Sequence, residues 1–296
     1  EELYQTDIAD YALEALRHSK VKNVYVMGRR GPAQAAFTTP EIKELGEMED
    51  TDAYVLPEEA ELDELSQKAL ADSSDRATMK KIEIIQSFAG REPSGKSRRL
   101  TVRFLVSPVE LIDDGQGNIA GMRLVKNELY ATDAGTLRPR ATEEFEELPV
   151  TMVFRAIGYR GVPIADVPFY ESWGVILNKE GRIIDPDTQE PLLGEYTGGW
   201  IKRGPSGVIG TNKPDALETV KHMLEDVAAG KMLCPEHTNP EEATAFVAAR
   251  QPEFFTYEDW LRLDELELAK GKAQGRPRVK FTSVANMLRA LGREPV

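Results

Sequence analysis

Two stretches carry residues whose types and spacing could do chemistry. Gly28-Arg29-Arg30-Gly31-Pro32 follows directly on the apolar run Val21 to Met27. Paired guanidinium groups after a strand suit a phosphate, because the planar donor fork matches phosphate oxygens and stays charged at every working pH. In a dinucleotide-binding fold this position meets the adenosine ribose, where a carboxylate selects a free 2′-hydroxyl and arginine accommodates a 2′-phosphate. The pair therefore points to NADP over NAD, with a solvated basic turn as the alternative. The second stretch, Gly199 to Asn212, reads GWIKRGPSGVIGTN. Glycines at Gly204, Gly207 and Gly210 let backbone approach a flat ring closely, and Trp200 offers an aromatic face to cover it. The helix expected after this loop would turn its positive N-terminal end toward negative charge on such a ring. A Gly-rich turn beside a core tryptophan is the alternative there.

Two further strings resemble ligand motifs out of context. Gly90 to Ser97, GREPSGKS, fits the spacing of a phosphate-cradling P-loop, which needs a strand before it and a helix after it. Here the order is reversed, with a helical pattern before and an alternating one after, so it reads as a basic connector. Gly275-Arg276-Pro277-Arg278 has the composition of a minor-groove arm, but one short copy on an acidic chain is weak evidence of DNA binding.

The elements that must position these motifs follow from periodicity. Asp7 to Ser19 places Ile8, Ala12, Ala15 and Leu16 on one helical face, with Thr6 or Asp7 as N-cap, and leads into a short buried strand from Val21 to Met27. Tyr54 to Leu56 reads as another strand and Ser74 to Phe88 as a helix. Leu100 to Val106 with Ile119 to Tyr130 reads as an antiparallel excursion of a mixed sheet. An apolar strand is expected from Leu148 to Ile157, and a helix from Lys213 to Ala229. A doubly wound sheet opens on a strand, a Gly-rich turn and a helix. This chain opens on the helix, so that first βα unit is expected upstream; an unrelated α/β domain beginning at Glu1 is the alternative.

Composition bounds the rest. With 296 residues, two domains are expected. Hydrophobic residues at 41% and charged residues at 29% describe an ordinary folded chain rather than a disordered one. The net charge of −13 disfavours a nucleic-acid binder. No run approaches the roughly 18 apolar residues of a membrane helix. The acidic opening EELYQTDIAD is unlike a signal peptide, so a cytoplasmic location is expected. One cysteine, Cys234, and three histidines supply neither a disulfide framework nor a metal cluster. Redox chemistry would need an organic cofactor.

RRGPAQAAFTTPEIKE at Arg29 to Glu44, FRAIGYRGVPI at Phe154 to Ile164, GWIKRGPSGVIGTN and GRPRVK at Gly275 to Lys280 together resemble the adrenodoxin-reductase-like ferredoxin-NADP reductases. The resemblance implies an α/β fold of the glutathione-reductase-like, two-dinucleotide-binding-domain architecture. Residues 1–153 would form a Rossmann-like NADP domain lacking its first βα unit, and residues 154–296 the C-terminal part of an FAD domain. The family's two Gly-rich cofactor turns would both lie upstream, so the chain is expected to be a fragment. Arg29 and Arg30 would grip the 2′-phosphate of NADP, with Glu41 in the same site. Trp200, Gly207, Val208 and Ile209 would meet FAD, and Gly207 also the nicotinamide. Glu44, one helical turn beyond Glu41, would approach the redox centre and modulate proton movement. The implied activity passes hydride from NADPH to FAD and then single electrons to a ferredoxin. That partner would dock near Arg76, Lys80 and Lys81. Another NADPH-flavin oxidoreductase or diaphorase subunit, or a non-catalytic nucleotide-binding fragment, are the competing readings.

Overall fold

The computed structural model describes residues 2–71 and 75–294. The chain divides into two compact units, Ile8–Phe154 and Glu1–Asp7 with Arg155–Val296.

The unit Ile8–Phe154 opens with α1 (Asp10–Arg17) and β1 (Asn23–Met27), then α2 (Thr39–Leu45), β2 (Thr51–Val55), α3 (Pro57–Ala60), α4 (Glu64–Ala71) and α5 (Arg76–Ala89). It continues with β3 (Arg98–Arg103), β4 (Val106–Asp113), β5 (Ile119–Ala131) and β6 (Leu137–Leu148). β3 is the middle strand of a parallel sheet, with Asn23 opposite Arg99 on one side and Thr51 opposite Arg98 on the other. Leu100 to Arg103 are all buried, as expected of a strand covered on both faces. α5 turns Ile82, Ile85 and Phe88 inward at helical spacing, where Ile85 and Phe88 join Ile42, Val55, Leu100, Val102 and Phe104 in one core. Each such side chain contributes about 1.5–3 kcal/mol by leaving water. Asp75 caps α5 by accepting from the amides of Ala77 and Thr78. The expected helix start at Ser74 lies outside the described residues.

Several expectations change here. The mixed sheet is two sheets: the parallel one, and an antiparallel meander β4-β5-β6. The segment Leu100 to Val106 divides at Leu105, whose φ of 55° turns the chain out of β3 and into β4. β1 is an edge strand and is not buried. Tyr25 and Met27 pack against Val106, Met122, Leu124 and Leu148, while Val24 and Val26, on the alternate face, stay 41% and 38% exposed. The expected face of α1 is not buried either, with Ile8 and Ala12 half-buried and Ala15 and Leu16 exposed, and its N-cap is Ala9 rather than Thr6 or Asp7. Both expected caps are engaged elsewhere: the Thr6 hydroxyl donates to the Leu3 carbonyl, and Asp7 pairs with Lys280 at 2.8 Å. Of the strand expected from Leu148 to Ile157 only Leu148 is extended in a sheet, as the last residue of β6; no described strand lies beside the rest to complete its hydrogen bonds.

The second unit has the short strands β7 (Phe169–Tyr170), β8 (Val175–Ile176), β9 (Asn178–Lys179), β10 (Arg182–Ile184) and β11 (Pro191–Tyr196). They form a hairpin β7-β8 and an antiparallel sheet β9-β10-β11. Helices α6 (Trp200–Arg203), α7 (Asn212–Ala228), α8 (Pro240–Arg250), α9 (Tyr257–Ala273) and α10 (Val284–Ala290) follow. Its sheet is tied to α7 by polar contacts. Arg182 on β10 forks onto Asp226 at 2.7 and 3.0 Å, and the Tyr196 hydroxyl donates to the same carboxylate at 2.9 Å. A Cβ at Gly181 would sit 2.4 Å from the Thr219 hydroxyl of α7, so only glycine fits that turn.

Candidate functional site

The loop after β1 is held by its backbone. The Gly28 amide donates to the Arg103 carbonyl at 2.9 Å. The carbonyls of Gly28, Arg29 and Arg30 accept from the Val106 amide, the Asn127 side-chain amide and the Leu105 amide at 3.2, 3.0 and 3.2 Å. Beneath it, Arg103 is buried and forks onto Glu59 and Glu146, and Glu59 also accepts the Phe104 amide at 2.8 Å. The chain path is therefore fixed while the Arg29 and Arg30 side chains stay exposed, with no hydrogen-bond or ion-pair partner among the described residues. Two fixed but unpaired guanidinium groups fit an oxyanion such as a 2′-phosphate.

Glu41 and Glu44 lie on α2 in the same unit. Glu41 completes a capping box: its carboxylate accepts the Thr38 amide at 2.6 Å and its own amide donates to the Thr38 hydroxyl. The hydrogen bond from the Thr38 amide is the main reason the Glu41 carboxyl is held below the usual range. Glu41 thus builds the helix that follows the arginines, a role its position at N3 makes legible in hindsight. Glu44 is exposed, and its carboxylate has no partner among the described residues.

In the second unit, Trp200 opens α6 and its ring lies 5.9 Å from that of Tyr159, tilted by 30°. Tyr159 falls inside the string FRAIGYRGVPI but is not singled out by sequence reasoning; only the fold sets it against Trp200. Gly204 and Gly207 have φ of 88° and 82°. Val208 and Ile209 project from the loop at 70% and 92% exposure. At Gly204 and Gly210 an added Cβ would meet nothing within 4 Å, so the backbone there is open to a ligand. At Gly207 it would lie 2.4 Å from the Thr211 hydroxyl, a steric demand independent of any ligand. α7 begins without a side-chain cap, since the Thr211 hydroxyl donates instead to the Val208 carbonyl at 2.6 Å.

Comparison with known proteins shows which reductases the chain is similar to. NADPH-ferredoxin reductase FprA of Mycobacterium tuberculosis is 40% identical over 291 residues, 97% of this chain and 61% of that protein. The chain is homologous to the NADPH-ferredoxin reductases. Human mitochondrial NADPH:adrenodoxin oxidoreductase is 35% identical over 99% of this chain and 59% of its own length. The structure of Mycobacterium tuberculosis FprA in complex with NADPH matches with a TM-score of 0.87 at 39% identity, over 98% of this chain and 63% of that one. The α/β fold is that of the corresponding part of such a two-dinucleotide-binding-domain reductase. This chain spans about three-fifths of the length of these reductases. No family model matches.

The remaining motifs resolve structurally. The GREPSGKS connector runs from α5 to β3, and its anion-binding groups are filled from within. The Ser94 hydroxyl and amide donate to Asp52 of β2 at 2.5 and 3.1 Å. Ser94 is the largest cause of the lowered Asp52 pKa. Lys96 and Arg91 donate to the carbonyls of Met48 and Gly46. The string thus fastens a connector to its neighbouring strand. Arg276 is buried and donates to the Thr6 carbonyl, and Arg278 pairs with Asp264 and Glu267 of α9, so neither is free to enter a groove. Among the described residues no helix is long and apolar enough to cross a membrane.

Proposed function

We propose that the protein of which this chain forms part is an NADPH-dependent flavoprotein reductase that passes electrons to a ferredoxin. The observation that carries this reading is the Arg29–Arg30 pair, with backbone locked and both guanidinium groups unpaired among the described residues, in a chain homologous to reductases that use NADPH. Ile8–Phe154 would be the NADP-binding unit and Arg155–Val296 part of the FAD-binding one. When bound, NADPH and FAD supply the hydride and the conversion of a two-electron donor into single-electron steps.

The side chains have narrower tasks. Arg29 and Arg30 hold and select the 2′-phosphate. Glu41 shapes the helix behind them and brings an ionised carboxylate close by in sequence. Glu44, exposed and without a partner among the described residues, would modulate proton movement. Trp200 would offer a ring face and Gly207, Val208 and Ile209 a backbone edge to hold the flavin, and the start of α7, which has no side-chain cap, would support negative charge on it. A visible spectrum of the purified intact protein tests the reading. Flavin bands bleached by NADPH, and not by NADH at equal concentration, are expected; a colourless protein would favour a non-catalytic nucleotide-binding fragment. NADPH bleaching without ferredoxin reduction would favour a diaphorase.

Ferredoxin docking is proposed at Arg76 and Lys80, exposed four residues apart on α5. Lys80 pairs with Glu83 at 3.1 Å, but such a surface pair is weak and leaves its charge available for steering. Lys81, expected to join them, does not. It is only 8% exposed and donates to the Ala35 carbonyl at 2.6 Å, because its position on α5 faces the core. Reversal of Arg76 and Lys80 to glutamate should lower the ferredoxin association rate and flatten its salt dependence, with flavin reduction by NADPH unchanged.

A further inference from the structure

The loop from Gly204 to Thr211 has little packing to fix it. Its apex residues Val208 and Ile209 are among the most exposed apolar side chains in the unit, and its backbone hydrogen bonds are short-range: Ser206 to Gly204 at 2.8 Å, Thr211 to Val208 at 2.9 Å, and the Asn212 amide to the Ile209 and Gly210 carbonyls. Ordering such a segment costs conformational entropy that burial does not offset here. Two charged residues supply what packing does not. Asp215, in the first turn of α7 and 8% exposed, accepts the Gly199 amide ahead of Trp200, and lies 3.3 Å from both Lys202 Nζ and Arg203 Nη1. Arg203, at the end of α6, carries the connection across the loop. Its Nη2 donates to the Ser206 carbonyl at 3.2 Å, the Thr211 hydroxyl at 3.2 Å and the Asn212 side-chain oxygen at 2.8 Å. One guanidinium thus touches the loop near its start, at its end and at the first residue of α7, while Asp215 holds that guanidinium.

We propose that Arg203 and Asp215 are positioning residues that set the shape of the Gly204–Thr211 loop and thereby the affinity of the protein for its flavin. The proposal rests on the flavin reading of that loop. The two cations beside Asp215 are not equivalent. Lys202 also reaches Glu218 at 2.6 Å and the Thr219 hydroxyl at 3.1 Å, so its charge remains matched without Asp215, whereas Asp215 is the carboxylate paired with Arg203. Loss of Asp215 should therefore act on the loop through Arg203. All three acceptors are met by Nη2 alone, so a lysine at position 203 would keep the charge and could keep some of these contacts but would lose the second nitrogen, Nη1, that faces Asp215.

The test compares Arg203→Met, Arg203→Lys and Asp215→Asn in the intact protein, with Lys213→Ala as a control that removes an exposed neighbouring charge outside the clamp. Amide hydrogen exchange is read at Ser206 to Thr211 and, as a reference, at Lys221 to Ala228 of α7; FAD affinity is read by titration of the apoprotein. Exchange in the loop should accelerate, and FAD affinity should fall, on the order of tenfold in Arg203→Met and Asp215→Asn, the scale of one charged interaction lost. The reference amides and the Lys213→Ala control should stay at wild-type values. Arg203→Lys, the mildest change and the one surest to fold, should fall between. Unchanged loop exchange in the variants overturns the clamp. Accelerated exchange with unchanged FAD affinity overturns its link to the flavin. An unmutated protein that takes up no FAD overturns the flavin reading itself, and the exchange data still judge the clamp separately.

Discussion

The loop carrying Arg29 and Arg30 and the loop carrying Gly207 are built in opposite ways. The first is fastened by its backbone to β3, β4 and Asn127, which leaves the side chains free to meet a ligand. The second is fastened by side chains, Arg203 and Asp215, which leaves its backbone and its exposed apex free. A side-chain site needs a rigid frame beneath it, supplied here by Arg103 and its two glutamates. A backbone site needs a clamp beside it and glycines within it. The difference teaches where each will fail: the first when its frame is broken, the second when its own conformation is changed.

The largest effect should come from that frame. Arg103→Met leaves Glu59 buried without its partner, and breaking a buried pair in this way costs about 3–5 kcal/mol. Hydrogen exchange along β3 and the β1 loop should rise sharply, whereas exchange at Gly204 to Thr211 should not; equal loosening of both loops would erase the distinction drawn between them.

Neutralising the pair itself should be gentler on the fold and severe on the ligand. Arg29→Gln with Arg30→Gln should weaken NADPH binding by about 1.5–3 kcal/mol for each charged hydrogen bond lost, with NADH binding little changed. An unaltered NADPH to NADH ratio would remove both residues from the phosphate site.

At Gly207 two causes compete. Alanine there meets Thr211 and must adopt a φ of 82°, which costs about 1–2 kcal/mol for a residue with a Cβ. The sequence suggested instead that a ring needs the space. Flavin content and the rate of flavin reduction should both fall in Gly207→Ala. Partial recovery in Gly207→Ala with Thr211→Gly would assign the loss to internal packing; no recovery would assign it to the ring.

The smallest effect is one of pH. The hydrogen bond from Arg103 is the main reason the Glu146 carboxyl lies below its ordinary value of about 4.5. A carboxyl lowered by folding stabilises the fold fully above that ordinary value and loses its contribution as pH falls through the lowered one. Glu146→Gln should therefore flatten the dependence of stability on pH below about 4.5 in denaturant titrations. An acid profile identical to that of the unmutated protein would mean that Glu59 alone carries the pairing.

The amino-acid sequence by itself determined the chemistry on offer. Arg29 and Arg30 after an apolar run, the glycine spacing from Gly204 to Gly210, and the helical periods of α5 and α7 are local properties, set by side-chain type and by one or two turns of chain. The reversed context of GREPSGKS was equally local, and it correctly argued against a P-loop. Tertiary structure decided everything that depends on a neighbour distant in sequence. It made β3 the centre of a parallel sheet, left Val24 and Val26 exposed, turned Lys81 inward, set Tyr159 against Trp200, and placed the Asp52 carboxylate among the donors of the connector. It also paired Arg103 with Glu59 and Glu146, 44 and 43 residues away. Periodicity reports which face of an element is apolar, but only the packed neighbours determine whether that face is covered and which charges find partners.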